Sequence, residues 1–220
     1  MTEPTLIPQE LVTFPHAMLR EIYEQPQALA ATIEQYVPGG VSTAETFQPV
    51  VDAIGGRERL VIAASGSSRH AGLAGEIMLE DLAGISVDVE YASEYTYRST
   101  HTLHNPGVVV ISQSGETADT LAALREAHAR GLATVAITNN ARSSMATEAS
   151  ASMPTFAGVE KAIPATKSFT TQARCTLFSR SSPGARSWSY DAPGCRGARP
   201  RASGDSPSPS NRIAGMAETD

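Results

Sequence analysis

Val108-Val109-Val110-Ile111-Ser112-Gln113-Ser114-Gly115-Glu116-Thr117 decides the reading of this chain. Four branched apolar residues in a row suit a buried strand. The hydroxyl-rich turn is followed by Ala118-Asp119-Thr120-Leu121-Ala122-Ala123-Leu124, which has helical character. Strand, turn and helix in this order place three hydroxyls and fresh backbone N–H groups at one point, the environment that a phosphate monoester requires. A plain helix cap by Ser114 or Thr117 needs only one hydroxyl. Glu116 would repel a dianion, so its carboxylate is expected to point aside and order its own loop.

Outward from this segment the same alternation recurs. Arg59 to Ala64 reads as a strand, Arg69 to Leu82 as a helix stopped by Ala83-Gly84, and Ile85 to Val89 as a second strand. Gly107 to Ile111 is the third strand, Glu116 to Arg130 a helix closed by Gly131, and Leu132 to Thr138 the fourth strand. Ser143 to Glu148 reads as a short helix, Ala151 to Thr155 as a weak fifth strand, and Thr166 to Gln172 as the start of a last helix. Val/Ile-rich strands alternating with Ala/Leu-rich helices predict an α/β fold with a doubly wound parallel sheet. Ligands of such sheets sit beyond the strand carboxyl ends, here the turns after Ala64, Val89, Ile111 and Thr138.

Before the first strand, Met18, Ile22, Leu29, Ile33 and Val37 give helical spacing, which Pro26 is expected to end or kink near Gln25. A further helix is expected from Thr43 to Ile54. After Leu177 the text becomes rich in Ser, Arg, Pro and Gly, without helix or strand period, which reads as disorder or a linker. The expected organisation is an N-terminal helical extension over 1–56, a phosphate-binding domain over 57–177 and a disordered or frameshifted tail over 178–220.

The chain has 220 residues, 41% of them apolar, and a net charge of -6. That supports one full core and argues against nucleic acid as a partner. No apolar run is long enough to span a bilayer and no signal peptide is evident, so no membrane partner and a cytoplasmic location are expected. Cys175 and Cys195 read as free thiols. The histidines lack metal-ligand spacing, His101 and His104 being the weak alternative, and no metal or cofactor is expected. Neither hydroxyl turn carries the lysine of a nucleoside-triphosphate loop or the three glycines of a dinucleotide fingerprint.

Ser65-Gly66-Ser67-Ser68 after the first strand is the second candidate turn, read equally well as anion contact or as helix cap. Tyr91-Ala92-Ser93-Glu94-Tyr95-Thr96-Tyr97-Arg98 suits a subunit contact, a pocket mouth or surface packing. Lys167 suits charge neutralisation of an anion or a solvated lysine.

Several of these motifs in order resemble one family. Residues 16–177 are similar to the first sugar isomerase (SIS) domain in the isomerase half of glutamine–fructose-6-phosphate aminotransferases. The carriers are Met18 to Pro26, Ser65 to Ser68, Asp88 to Tyr95 with Tyr97-Arg98, Ser112 to Thr120 and Ala165 to Gln172. The resemblance implies a three-layer SIS fold with a five-stranded parallel sheet. It implies that Ser112, Gln113, Ser114 and Thr117 hold the phosphate of a fructose 6-phosphate or glucosamine 6-phosphate-like sugar, with Ser67 and Ser68 lining the pocket and Thr166 and Lys167 in support. Ala165 and Ile163-Pro164 depart from the family pattern, and Lys161 stands where the family is apolar or small. No counterpart of the family's glutaminase domain, or of its second SIS domain with the acid–base residues, is expected in these 220 residues. The expectations are a sugar phosphate ligand, a homodimer, and either part of an aminotransferase/isomerase, a glucosamine-6-phosphate deaminase-like enzyme, or a non-catalytic binding module.

Overall fold

The computed structural model describes residues 13–40, 44–98 and 105–178, all within one compact unit. The expected tail beyond Phe178, Cys195, His101 and His104 lie outside the described residues. The elements are α1 (Ala17–Tyr36), α2 (Ala44–Ile54), β1 (Arg59–Ala64), α3 (Gly66–Ala83), β2 (Ser86–Tyr91), α4 (Ala92–Tyr95), β3 (Gly107–Ser112), α5 (Ala118–Ala129), β4 (Thr134–Thr138), α6 (Ser144–Glu148), β5 (Ala151–Pro154) and α7 (Lys167–Phe178).

The five strands form one parallel sheet in the order β2-β1-β3-β4-β5. Side chains alternate across it. Leu60, Ile62, Val109, Ile111, Val135 and Ile137 face a core completed by Phe47, Val50 and Ile54 of α2, Leu79 of α3 and Cys175 and Phe178 of α7. Val61, Ala63, Val108, Val110 and Ala136 face the other core, with Tyr95 of α4, Leu121, Ala123, Leu124 and Ala127 of α5 and Met145 of α6. Helices on both faces of a parallel sheet make the three-layer α/β architecture expected from the sequence. The order reverses between β1 and β3: β1 leads through α3 to β2 on one side, and β3 through α5 to β4 on the other. That reversal is a topological switch point.

Local differences from the expected elements have physical causes. Pro26 lies inside an unbroken α1. Its missing N–H would leave the Ile22 carbonyl open, and Gln25 Nε2 donates to that carbonyl at 3.2 Å instead. The second helix begins at Ala44, Thr43 lying outside the described residues. α3 begins at Gly66, three residues before Arg69, because extended Ser65 (φ −125°, ψ 152°) already serves as its N-cap. β2 is displaced to Ser86–Tyr91, staying paired with β1 through Ala64 and Tyr91. α5 begins at Ala118 because Gly115 has φ +69° and Thr117 is extended. β4 starts at Thr134, since Leu132 N–H still donates to Ala127 O at 3.0 Å and closes α5. β3 gains Ser112, and β5 stops at Pro154 before Thr155. Phe178, placed at the head of the tail, closes α7 with its ring 5.5 Å from those of Tyr36 and Phe47.

α1 is joined to the domain by polar contacts as well as by buried Ala28 and Tyr36. Met18 and Ile22 are 36% and 39% exposed, whereas Glu21 is fully buried. The Glu21 carboxylate accepts from Lys161 N at 2.6 Å and from Ala162 N. Tyr36 O–H donates to Pro154 O at 2.8 Å, and Thr32 donates to Thr155 O. Among the described residues no helix is long and apolar enough to cross a membrane.

Candidate functional site at the sheet switch point

β1 and β3 pair with Ala64 opposite Ile111, so Ser65-Gly66-Ser67-Ser68 and the Ser112–Thr117 loop leave neighbouring strand ends at the same height. The structure thereby brings the two sequence-predicted hydroxyl turns together. Each leads straight into a helix, α3 or α5. Neither helix has a side-chain cap: Ser65 and Thr117 occupy the N-cap positions without a capping hydrogen bond. By contrast, His16 Nδ1 accepts from Leu19 N in α1 and Ser143 Oγ from Ala146 N in α6. The capping alternative for Ser65 and Thr117 is therefore not what the structure adopts.

The hydroxyls of the β3 loop are bonded to each other and to their own backbone. Ser112 Oγ lies 2.8 Å from Thr117 Oγ1 and 3.5 Å from Ser114 Oγ. Ser112 Oγ accepts from Gly115 N at 3.2 Å, and Ser114 Oγ from Glu116 N at 3.1 Å. Ser112 is buried, Gln113 and Thr117 are half-buried and Ser114 is exposed, so the cluster opens to one side. In the β1 turn Ser67 is exposed and Ser68 buried. Two uncapped helix N-termini with their partial positive charge, edged by hydroxyls, can accept an anion without a cationic side chain.

The loop is braced from β4 and α6. Gln113 O accepts from Asn139 N at 3.1 Å and from Thr138 Oγ1 at 3.3 Å. Gly115 O accepts from Met145 N at 3.2 Å. A side chain at Gly115 would sit 2.1 Å from Ser143 Oγ, so glycine is required twice over, by contact and by backbone angle. Glu116 Oε1 accepts from Ser144 N at 2.8 Å, turning its charge toward α6, as its position in the sequence led one to expect.

Thr166 and Lys167 are engaged elsewhere. Glu160 Oε1 accepts from Thr166 N at 2.8 Å and Thr166 Oγ1 at 2.9 Å, and its other oxygen from Ser168 Oγ, so Glu160 caps α7. Burial opposes the charge on Glu160, but the hydrogen bonds from Ser168 and Thr166 outweigh it and hold the carboxyl below its ordinary value. Lys167 is 5% exposed, and its ammonium meets Glu24 Oε2 at 2.5 Å. It is therefore not a solvated lysine. Tyr95 is core, packed on the α5 side of the sheet, while Tyr91 lies under the Arg69 guanidinium at 4.1 Å. Cys175 is a free, buried thiol that burial pushes up to about 12.

Sequence reading passed over Asn139, Glu160, Glu21 and Glu24. Asn139 ties the β3 loop to the segment after β5: its Oδ1 accepts from Ala157 N at 2.8 Å and Thr155 Oγ1 at 3.2 Å, and its Nδ2 donates to Gly158 O at 2.7 Å. Its only sequence signal was the end of a strand at the ligand edge of the sheet. Among the described residues there is no group of three or more His, Cys, Asp or Glu side chains placed to hold a metal.

Comparison with known proteins follows the same lines. Residues 54–177 match the model of the SIS domain family. Glutamine–fructose-6-phosphate aminotransferase (isomerizing) of Vibrio parahaemolyticus is 45% identical over 172 residues, covering 74% of this chain and 27% of the relative. The protein of the same name from Clostridium acetobutylicum is 41% identical over 160 residues, covering 72% of this chain and 26% of the relative. The chain thus spans about a quarter of the length of these relatives. The C-terminal domain of glucosamine-fructose-6-phosphate aminotransferase from Francisella tularensis superimposes with a TM-score of 0.71 at 34% identity, covering 79% of this chain and 49% of that one. Glucosamine-6-phosphate deaminase from Thermotoga maritima shares the fold, with a TM-score of 0.58 at 22% identity over 74% of this chain and 49% of that one. With the family model spanning more than half of its residues and its paired hydroxyl loops at the sheet switch point, the chain belongs to the SIS domain family.

Proposed function

We propose that this SIS domain binds the phosphate of a hexose 6-phosphate, fructose 6-phosphate or glucosamine 6-phosphate, as the sugar-binding part of a phosphosugar aminotransferase/isomerase. Ser112, Gln113, Ser114 and Thr117 hold the phosphate, and Ser67 and Ser68 line the sugar side. The observation that carries this reading is the pair of adjacent helices, α3 and α5, whose N-termini lack side-chain caps and are edged by serine and threonine hydroxyls at the switch point. A bound phosphate would take up the N–H groups that caps satisfy elsewhere. The likeness to the aminotransferases, at 41% and 45% identity, favours this assignment over the deaminase, whose likeness at 22% reaches the fold alone.

Phosphate contacts supply binding energy and orientation, but a shift between ketose and aldose also needs a base to carry a proton between C1 and C2. The described loops offer Glu116 alone as a carboxylate, and its Oε1 is committed to Ser144 N. Binding is therefore assigned to this domain and proton transfer to residues outside these two loops. The domain is taken to run over 57–177 and the protein to act in the cytoplasm as a homodimer, for which exposed Ile77 and Leu82 on α3 offer apolar surface.

The test is ligand-dependent stability. Fructose 6-phosphate or glucosamine 6-phosphate should raise the unfolding midpoint saturably, and fructose should not. Ser112→Ala and Thr117→Ala should weaken the effect. Equal midpoints with and without both phosphosugars would overturn the assignment.

A further inference from the structure

We propose that Glu116 is a positioning residue that sharpens anion binding although it carries the wrong charge for it; this rests on the phosphate reading of the Ser112–Thr117 loop. Glu116 stands between Gly115 and Thr117, exposed, within the loop assigned to a dianion. Coulomb repulsion alone would make its removal favourable to binding. The hydrogen bonds point the other way.

Glu116 is held at both ends. Its Oε1 accepts from Ser144 N at 2.8 Å, at the first residue of α6. Its own N–H donates to Ser114 Oγ at 3.1 Å. Ser114 Oγ in turn lies 3.5 Å from Ser112 Oγ, which lies 2.8 Å from Thr117 Oγ1. The carboxylate therefore anchors the peptide that fixes the outermost hydroxyl of the cluster. The neighbouring residue is clipped to the same helix, since Gly115 O accepts from Met145 N at 3.2 Å. One side chain thus turns its charge away from the anion and sets the hydroxyls toward it. Arg125 of α5 is paired with Glu148 at 2.7 Å.

The bond and the charge make opposite predictions, and two substitutions separate them. Glu116→Gln keeps an oxygen that accepts from Ser144 N and removes the charge. Glu116→Ala removes both. Calorimetric titration of the full chain with fructose 6-phosphate should give a Kd for Glu116→Gln equal to or below that of the wild type. Glu116→Ala should raise Kd about tenfold, the cost of ordering on binding a loop that is no longer held in place beforehand. Glu116→Gln should keep the wild-type urea midpoint and Glu116→Ala should lower it slightly, because the bond to Ser144 N is already present in the free chain. Amide hydrogen exchange in the absence of ligand should accelerate at Ser144 and Glu116 in Glu116→Ala and stay at the wild-type rate in Glu116→Gln. An alanine variant that binds as tightly as the glutamine variant would overturn the positioning role. Unchanged exchange in the alanine variant would overturn the brace itself. A wild-type chain that binds no fructose 6-phosphate but shows the exchange difference would overturn the phosphate reading and leave the brace standing.

Discussion

Replacing Gly115 by alanine should be among the most damaging single-methyl additions to this protein. Two costs combine. The backbone at Gly115 has φ +69°, a conformation that costs an L-residue about 1–2 kcal/mol. The new Cβ would stand 2.1 Å from Ser143 Oγ, 2.5 Å from Ser143 Cβ and 2.8 Å from Thr138 Oγ1. Ser143 is buried and caps α6, so relieving the overlap means moving the β3 loop or α6, at about 1–3 kcal/mol for overpacking. The sum, about 2–5 kcal/mol, is a large part of the stability of an ordinary domain. Gly84→Ala is the control: φ is +63° but no atom lies within 4 Å of the added carbon, so only the backbone cost of about 1–2 kcal/mol applies. Urea unfolding followed by circular dichroism gives both values. Adding Ser143→Gly to Gly115→Ala should restore much of the collision cost, since glycine at an N-cap loses only a few tenths of a kcal/mol. Equal losses for Gly115→Ala and Gly84→Ala would refute the close packing of the loop on α6.

Three further outcomes are expected. Glu21→Ala leaves the part-buried Lys161 and Ala162 N–H groups without their acceptor and should cost about 1–3 kcal/mol in urea unfolding, with Glu21→Gln in between. A double-mutant cycle of Lys167→Met and Glu24→Gln should show a coupling of about 1–3 kcal/mol; an additive result would place the ammonium in solvent. Glu160 has a folded-state value held below the ordinary 4.5, so its contribution is present above that value and disappears as pH falls through the lower folded one. Stability measured from about pH 6 down to about pH 3 should therefore decline, and Glu160→Gln should flatten part of that decline.

How far the sequence carried the fold depended on whether a signal was local. Arg59 to Ala64 was readable to the residue because a buried parallel strand is an unbroken apolar run. The two hydroxyl turns were readable because strand, Gly/Ser turn and helix lie within a dozen residues. α1 was readable as a helix but its buried side was not. The helical spacing of Met18 and Ile22 did not mark the buried side of the helix at this end: Glu21 is buried there, because its carboxylate is satisfied by backbone 140 residues away. Pro26 was expected to end or kink the helix and does not end it, since Gln25's substitute donor to Ile22 O cannot be inferred from composition. Lys167 offered two readings, anion partner or solvated cation, and took a third, because its partner Glu24 lies on another helix. Asn139 was missed for the same reason: its three side-chain partners follow β5 and meet it only once β4 and β5 are paired.

The most direct test of the central claim is to follow the backbone amides of the isotope-labelled full chain by nuclear magnetic resonance during titration with fructose 6-phosphate. The account predicts saturable shifts concentrated at Gly66 to Ser68 and at Gln113 to Asp119, with fructose leaving those amides in place. Shifts confined to other surfaces, or equal shifts with the unphosphorylated sugar, would contradict a phosphate site at the β1–β3 switch point.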